Sequence, residues 1–205
     1  MRQALGATVL ALVLGGCAAG LGGGPAGPGG GAGGADAAPQ TVAVDRAAAG
    51  PLAFGRVGRI CGLSGREMGT EVDRAPEGAR ARWRLFDTRP GTTEPRTLYV
   101  TGFDDGCARQ ITAALAVFGA PATYEATRFG AGARPVRDGT DIAYDRIKAR
   151  LCGVAEDMPC PADRLERVGA RTAFVTAYPS FGQTSGRQLT LLLDDGALVA
   201  TSIPR

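Results

Sequence analysis

The sequence predicts an α+β domain: a mostly antiparallel sheet with two or three helices packed on one of its faces. Three observations point there. Residues 80–103 alternate around a turn, as an N-terminal hairpin would. The middle of the chain carries apolar residues at helical spacing. The last thirty-odd residues read as a three-strand meander.

The hairpin comes first. In Arg-Ala-Arg-Trp-Arg-Leu-Phe-Asp-Thr, residues 80–88, Trp83 and Leu85 point one way while Arg82 and Arg84 point the other, the mark of a half-buried strand. The stretch from Arg89 to Pro95 is rich in turn formers, and Arg96 to Phe103 supplies the second strand. A helix is then expected from Asp104 or Asp105, either of which can cap free amides. Its apolar stripe would be Cys107, Ile111, Leu115 and Phe118, and Gly119 and Pro121 would stop it. Tyr124, Glu125 and Arg128 fall on a possible further helical turn, where Glu125 and Arg128 stand i, i+3 apart as a surface ion pair.

A second helix is predicted from about Thr140 to Cys152, with Tyr144, Ile147 and Leu151 inward and Gly153 ending it. Pro161 to Val168 suggests a short third, Leu165 and Val168 being three apart. Thr172–Tyr178 is the next strand. Gln188–Leu193 and Ala197–Ile203 flank Asp194-Asp195-Gly196, a hairpin turn whose glycine accepts positive φ. Tyr178-Pro179-Ser180-Phe181-Gly182 makes an aromatic-bearing loop at a strand end. Residues 41–79 carry no comparable pattern.

The start of the chain has a different character. Arg2 precedes an unbroken, weakly apolar run from Ala4 to Leu14, followed by Gly15-Gly16-Cys17. This run is too short for a membrane span, which needs roughly 20 residues, and has the parts of a secretory signal. Residues 18–39 are almost all Gly, Ala and Pro, too poor in apolar side chains to offset ordering entropy, so they read as a tether with an r.m.s. reach of roughly 25 Å. The expected organisation is a signal over 1–16, Cys17 with the tether over 17–39, and one domain over 40–205.

Leu14-Gly15-Gly16-Cys17 resembles the lipobox of bacterial lipoproteins. The resemblance implies a diacylglyceryl group on the Cys17 thiol, cleavage before Cys17 and acylation of the new amino group. Two or more chains anchor stably where one holds only marginally. It also implies a place: Ala18, where Asp would favour retention in the inner membrane, directs a Gram-negative lipoprotein to the outer membrane, facing the periplasm. In another host the site would be the outer face of the cell membrane. The resemblance covers the signal and Cys17 alone.

Four cysteines remain, Cys61, Cys107, Cys152 and Cys160, and an even number in an exported domain reads as disulfides. Of three possible pairings, Cys61–Cys107 with Cys152–Cys160 is favoured, because a polar turn-forming stretch separates the second pair. Chain entropy gives about 4 kcal/mol for the longer loop and roughly 2.5 for the shorter. A zinc site lacks support: no Cys-x-x-Cys spacing occurs and the chain has no histidine.

The missing histidine also removes Ser-His-Asp and Cys-His mechanisms. No Gly-x-Ser-x-Gly or Ser-x-x-Lys motif is present, and no catalytic residue, metal or cofactor is assigned. With 23 basic and 20 acidic residues, the charge balance does not suit a nucleic-acid partner. Arg80, Arg82 and Arg84 are candidate anion-binding residues if they form one stripe; the same stripe would also protect an edge strand. The expected function is a membrane-anchored envelope lipoprotein in a binding, assembly or structural role, its partner another envelope protein or a glycan. The alternative is a carboxylate-dependent hydrolase of envelope polymers, which needs two close acids in a cleft.

Overall fold

The computed structural model describes residues 41–46, 50–132, 137–182 and 187–203. The signal, Cys17 and the tether lie outside the described residues. The domain is α+β, as expected, but its strands form two sheets where a single sheet was predicted. In chain order the elements are β1 (Thr41–Ala43), β2 (Val57–Ile60), the one-turn α1 (Gly65–Met68), β3 (Thr70–Ala75), β4 (Trp83–Asp87), β5 (Arg96–Thr101), β6 (Ala108–Ala113) and β7 (Leu115–Gly119). Three helices follow, α2 (Pro121–Phe129), α3 (Gly139–Cys152) and α4 (Ala162–Gly169), then β8 (Thr172–Tyr178), β9 (Leu189–Asp194) and β10 (Ala197–Ser202).

One sheet runs β1-β2-β6-β5-β4-β3 and the other β10-β9-β8-β7. All pairings are antiparallel except that of β1 with β2. The period of two explains the layering. On β8 and β9 the odd residues Ala173, Val175, Leu191 and Leu193 meet Trp83, Leu85, Val100 and Ile111 of the larger sheet in one core. The even residues Phe174 and Leu192 point to the other face and pack with Tyr144, Ile147 and Val168 of the helices. The smaller sheet is therefore a middle layer, buried on both faces.

The hairpin of β4 and β5 and the meander of β8, β9 and β10 stand where the sequence placed them. The β9–β10 turn has Asp195 at φ 47° and Gly196 at φ 81°, the two positive angles of a type I′ turn. α3 and α4 also match. The α3 N-terminus is capped by Asp138, and Gly153 ends the helix at φ 67° while its N–H reaches the Ala149 carbonyl at 3.0 Å. Gly153→Ala is expected to cost about 1 kcal/mol, since alanine resists this left-handed cap; urea unfolding measures it.

The predicted helix from Asp104 is absent. Residues 108–119 form two strands instead, and the chain passes from one sheet to the other at Ala114. Its apolar residues stand four apart at 107, 111 and 115, a spacing that satisfies both a helix and a strand. All six residues of β6 are buried, because a loop covers the outer face of the larger sheet as the smaller sheet covers the inner one. Gln110, fully buried, donates to the Gly50 carbonyl at 2.7 Å. Pro121 starts α2 from its first turn rather than stopping a helix.

Both disulfides are the favoured ones, Cys61–Cys107 and Cys152–Cys160. The crossover is braced from within. Arg96, on β5, bonds the Asp87 carboxylate through Nε at 2.7 Å and through Nη2, and its Nη1 donates to the Ala114 carbonyl at 2.6 Å. The Ala114 amide donates to Tyr178 of the other sheet at 2.8 Å.

Candidate functional site

Two helices and the middle sheet enclose a cleft of about 250 Å³. Its floor follows from the strand sequence. Phe174 on β8 and Leu192 on β9 are apolar where the helices cover them. Two residues along, on the same face, both strands change to threonine. Thr176 pairs with Thr190, and the row continues to Val117 on β7 and Ser202 on β10. Val117 is 39% exposed. Gln188 and Tyr124 add to the lining, and the N-terminus of α3 forms one wall with Asp138, Thr140 and Asp141.

The two carboxylates of that wall cap α3 reciprocally. Asp138 Oδ1 accepts from the amides of Thr140 at 2.8 Å and Asp141 at 3.0 Å, and from the Thr140 hydroxyl at 2.6 Å. Asp141 Oδ2 accepts from the Asp138 amide at 2.8 Å. Burial pushes the Asp141 carboxyl above its ordinary range; the Asp138 amide opposes this, and the Asp145 charge adds to it.

Behind the wall lies a buried charge network. Lys148 and Asp145 of α3 are both fully buried, with Nζ 3.2 Å from Oδ1. Lys148 also donates to the Glu156 carbonyl at 3.0 Å, lies 3.8 Å from Glu125 Oε1, and sits 4.5 Å from the Phe129 ring centre. Asp145 Oδ2 accepts from Arg128 at 2.8 Å and Arg137 at 2.6 Å. Glu125 accepts the Cys160 amide at 3.1 Å, joining α2 to the shorter disulfide loop. Burial, then the Glu125 charge, raises the Tyr144 hydroxyl far above its usual range, so it stays protonated. Tyr124 stacks on Phe174 at 4.3 Å and meets Tyr144 edge-on at 4.9 Å.

Tyr124, Glu125 and Arg128 are thus on a helix, as the sequence suggested, but Glu125 and Arg128 are buried and paired with α3 instead of with each other. Asp141, Asp145 and Lys148 were missed, although Lys148 is the single lysine in a chain that otherwise uses arginine. A compact ammonium fits an enclosed site that a planar guanidinium would crowd.

The other singled-out residues are elsewhere. Arg80 is exposed in the turn before β4, and Arg82 also precedes that strand. Arg82 pairs with Asp104, and Arg84 with Glu71 at 2.7 Å. An anion reaching this edge would have to displace those carboxylates. Asp105 accepts the Cys107 amide at 3.0 Å and pairs with Arg59 and Arg109, both at 2.8 Å. Hydrogen bonding from Arg109 and Arg59 outweighs its burial and holds its carboxyl well below the ordinary range. Asp194 is a buried acceptor for the Thr172 hydroxyl at 2.7 Å as well as a turn residue. Phe181, in the loop after β8, is 59% exposed.

Comparison with protein-family models, with curated proteins and with solved structures finds no match to this chain.

Proposed function

We propose that the chain is a lipid-anchored protein of the cell envelope, held by Cys17, whose folded domain is a non-enzymatic binding module that takes its partner at the cleft over Thr176 and Thr190. The signal, the Gly-Gly-Cys junction and the Gly/Ala/Pro tether support the anchor, and two disulfides suit an exported chain. A flexible tether favours binding near a membrane, because it raises the local concentration of a domain around its partners.

One observation carries the choice of binding over catalysis. The acids around the cleft already serve the fold: Asp138 and Asp141 cap α3, while Glu125 and Asp145 sit inside the charge network. The second reading, a carboxylate-dependent hydrolase of envelope polymers, draws on the raised Asp141 carboxyl beside Asp138 in a concave site.

The test is in-cell crosslinking of the full chain against a Cys17→Ser form, together with lipid labelling. Cys17→Ser should lose the lipid label, stay soluble or unprocessed, and lose a reproducible envelope partner. Undiminished labelling would overturn the anchor. Release of soluble fragments from purified envelope polymer by the purified protein, abolished in Asp141→Asn, would favour the hydrolase.

A further inference from the structure

The cleft continues past Gly119. Gly119 and Ala120, the junction between β7 and α2, line it on one side and line a second hollow of about 450 Å³ on the other. This second hollow lies where β3, the edge of the larger sheet, comes beside β7, the edge of the smaller one, under α4. Its floor is apolar, with Phe118, Pro121, Ala170 and Ala173. Asp73 of β3 spans the two edges by accepting the Phe118 amide at 2.9 Å.

The charges lining this double groove are mostly negative. The whole chain is formally +3, yet the acidic side chains lining the two hollows are Asp73, Glu77, Asp138, Asp141 and Glu166. Among the described residues Arg74 is the one cation lining them, and it is paired with Glu71 at 2.6 Å. Glu77 and Glu166 are exposed, on a turn and on α4, and among the described residues neither has an ion-pair partner. Elsewhere in the domain the exposed acids Glu67 and Asp104 each hold an arginine, whereas Glu94 and Asp157, like the rim acids, pair with no cation among the described residues. An apolar floor with unspent negative charge on its rim complements a segment carrying small apolar residues and cations.

We infer that the double groove across Gly119 and Ala120 holds an extended, Lys- or Arg-bearing segment of a partner polypeptide. The inference rests on the domain being a binding module and names the chemistry of what it binds. The partner's cations meet Glu77 and Glu166 on one side of the ridge, and its backbone polar groups meet the Thr176–Thr190 row on the other. A neutral glycan would leave both rim carboxylates unused.

The experiment uses the full lipidated chain in detergent and three probes: a labelled decapeptide alternating Lys and Ala, its Glu-for-Lys counterpart, and chitohexaose. Ala120→Trp fills the ridge; Ala120 is exposed and contributes no side-chain cap to α2, so the fold should keep its melting temperature. Glu77→Gln with Glu166→Gln removes the rim charge. Glu94→Gln with Asp157→Asn removes equal charge at exposed positions outside the groove.

The Lys peptide should bind and the Glu peptide should not. Affinity should fall about tenfold in the rim variant, as expected for two exposed ion pairs, and further in Ala120→Trp, with no change in the control variant. Absent binding of the Lys peptide, or equal losses in rim and control variants, overturns the inference. Chitohexaose binding that Ala120→Trp blocks, with the Lys peptide indifferent, overturns the basic segment but keeps the binding module. An in-cell crosslink unaffected by Ala120→Trp, with no probe bound, removes both.

Discussion

Arg96→Met is expected to destabilise the domain by about 3–5 kcal/mol, the cost of leaving one member of a buried ion pair alone. Arg96 and Asp87 have side chains only 8% and 4% exposed, so the stranded Asp87 carboxylate has little access to water. The same change removes the donor to the Ala114 carbonyl, at the point where the chain changes sheets. Urea unfolding at pH 7 measures the loss. A loss near that of an exposed pair, below about 1 kcal/mol, would show that the brace contributes little.

The pH dependence of that variant follows from Asp87. Burial pushes its carboxyl up, but the Arg96 hydrogen bonds, the Arg89 amide and the nearby charges outweigh burial and leave it below its ordinary value. A depressed carboxyl contributes stability above its unfolded value, near 3.9, and loses it as pH falls through the folded value. Without Arg96 only burial and the weaker partners remain, so protonation relieves the variant while it costs the native protein. The difference between the two should shrink below about pH 4.

Asp145→Asn is the second large effect, again about 3–5 kcal/mol. It preserves shape and removes the charge that Lys148 and Arg128 share. Among the described residues Lys148 would keep only Glu125 at 3.8 Å as a carboxylate partner, and Arg128 only Asp141 at 3.9 Å. Arg137→Ala is the comparison. That side chain is 44% exposed although it touches the same Asp145, so its removal should cost under about 1 kcal/mol. Matched losses in the two variants, by urea unfolding, would mean that burial of the network does not set its energy.

Much of the fold was legible where one periodicity excluded the other. β8 carries Ala173, Val175 and Ala177 on one face with Phe174 on the other, and no helical stripe accommodates both sets. α3 shows an inward stripe of Tyr144, Ile147 and Leu151 and a stop at Gly153, while its cap at Asp138 was not read. Residues 107–118 lacked such a contrast. Arg109, Gln110 and Thr112 resemble the wet face of a helix, yet all three are buried in β6. The cover of Gln110 comes from residues before 80, where Gly50 accepts its amide and no element was read from sequence. Arg109 lies 4.1 Å from the Phe103 ring centre and pairs with Asp105.

The site was harder to read because its signal looks like a fault in the pattern. On α3, Asp141, Asp145 and Lys148 fall on the stripe that Tyr144 and Ile147 mark as inward. Ionisable groups at inward positions are costly unless partnered, so their spacing predicts partners on a facing helix. Glu125 and Arg128 are those partners, and Arg137 joins from the chain just before α3. Nothing local to α2 shows that it is wedged against α3 and α4, so its charged pair read as a surface pair.

The longer disulfide governs how the domain bears load. Tension applied at the N-terminal side enters through β1, a three-residue edge strand, and then β2. Strands at an edge can be unzipped one hydrogen bond at a time. Cys61 follows β2 directly and is joined to Cys107, just ahead of β6. Peeling can therefore advance no further than Cys61 before the pull passes covalently to β6, a strand buried along its whole length. A domain tugged at that end would give up two short strands and keep its double-sheet core and its groove.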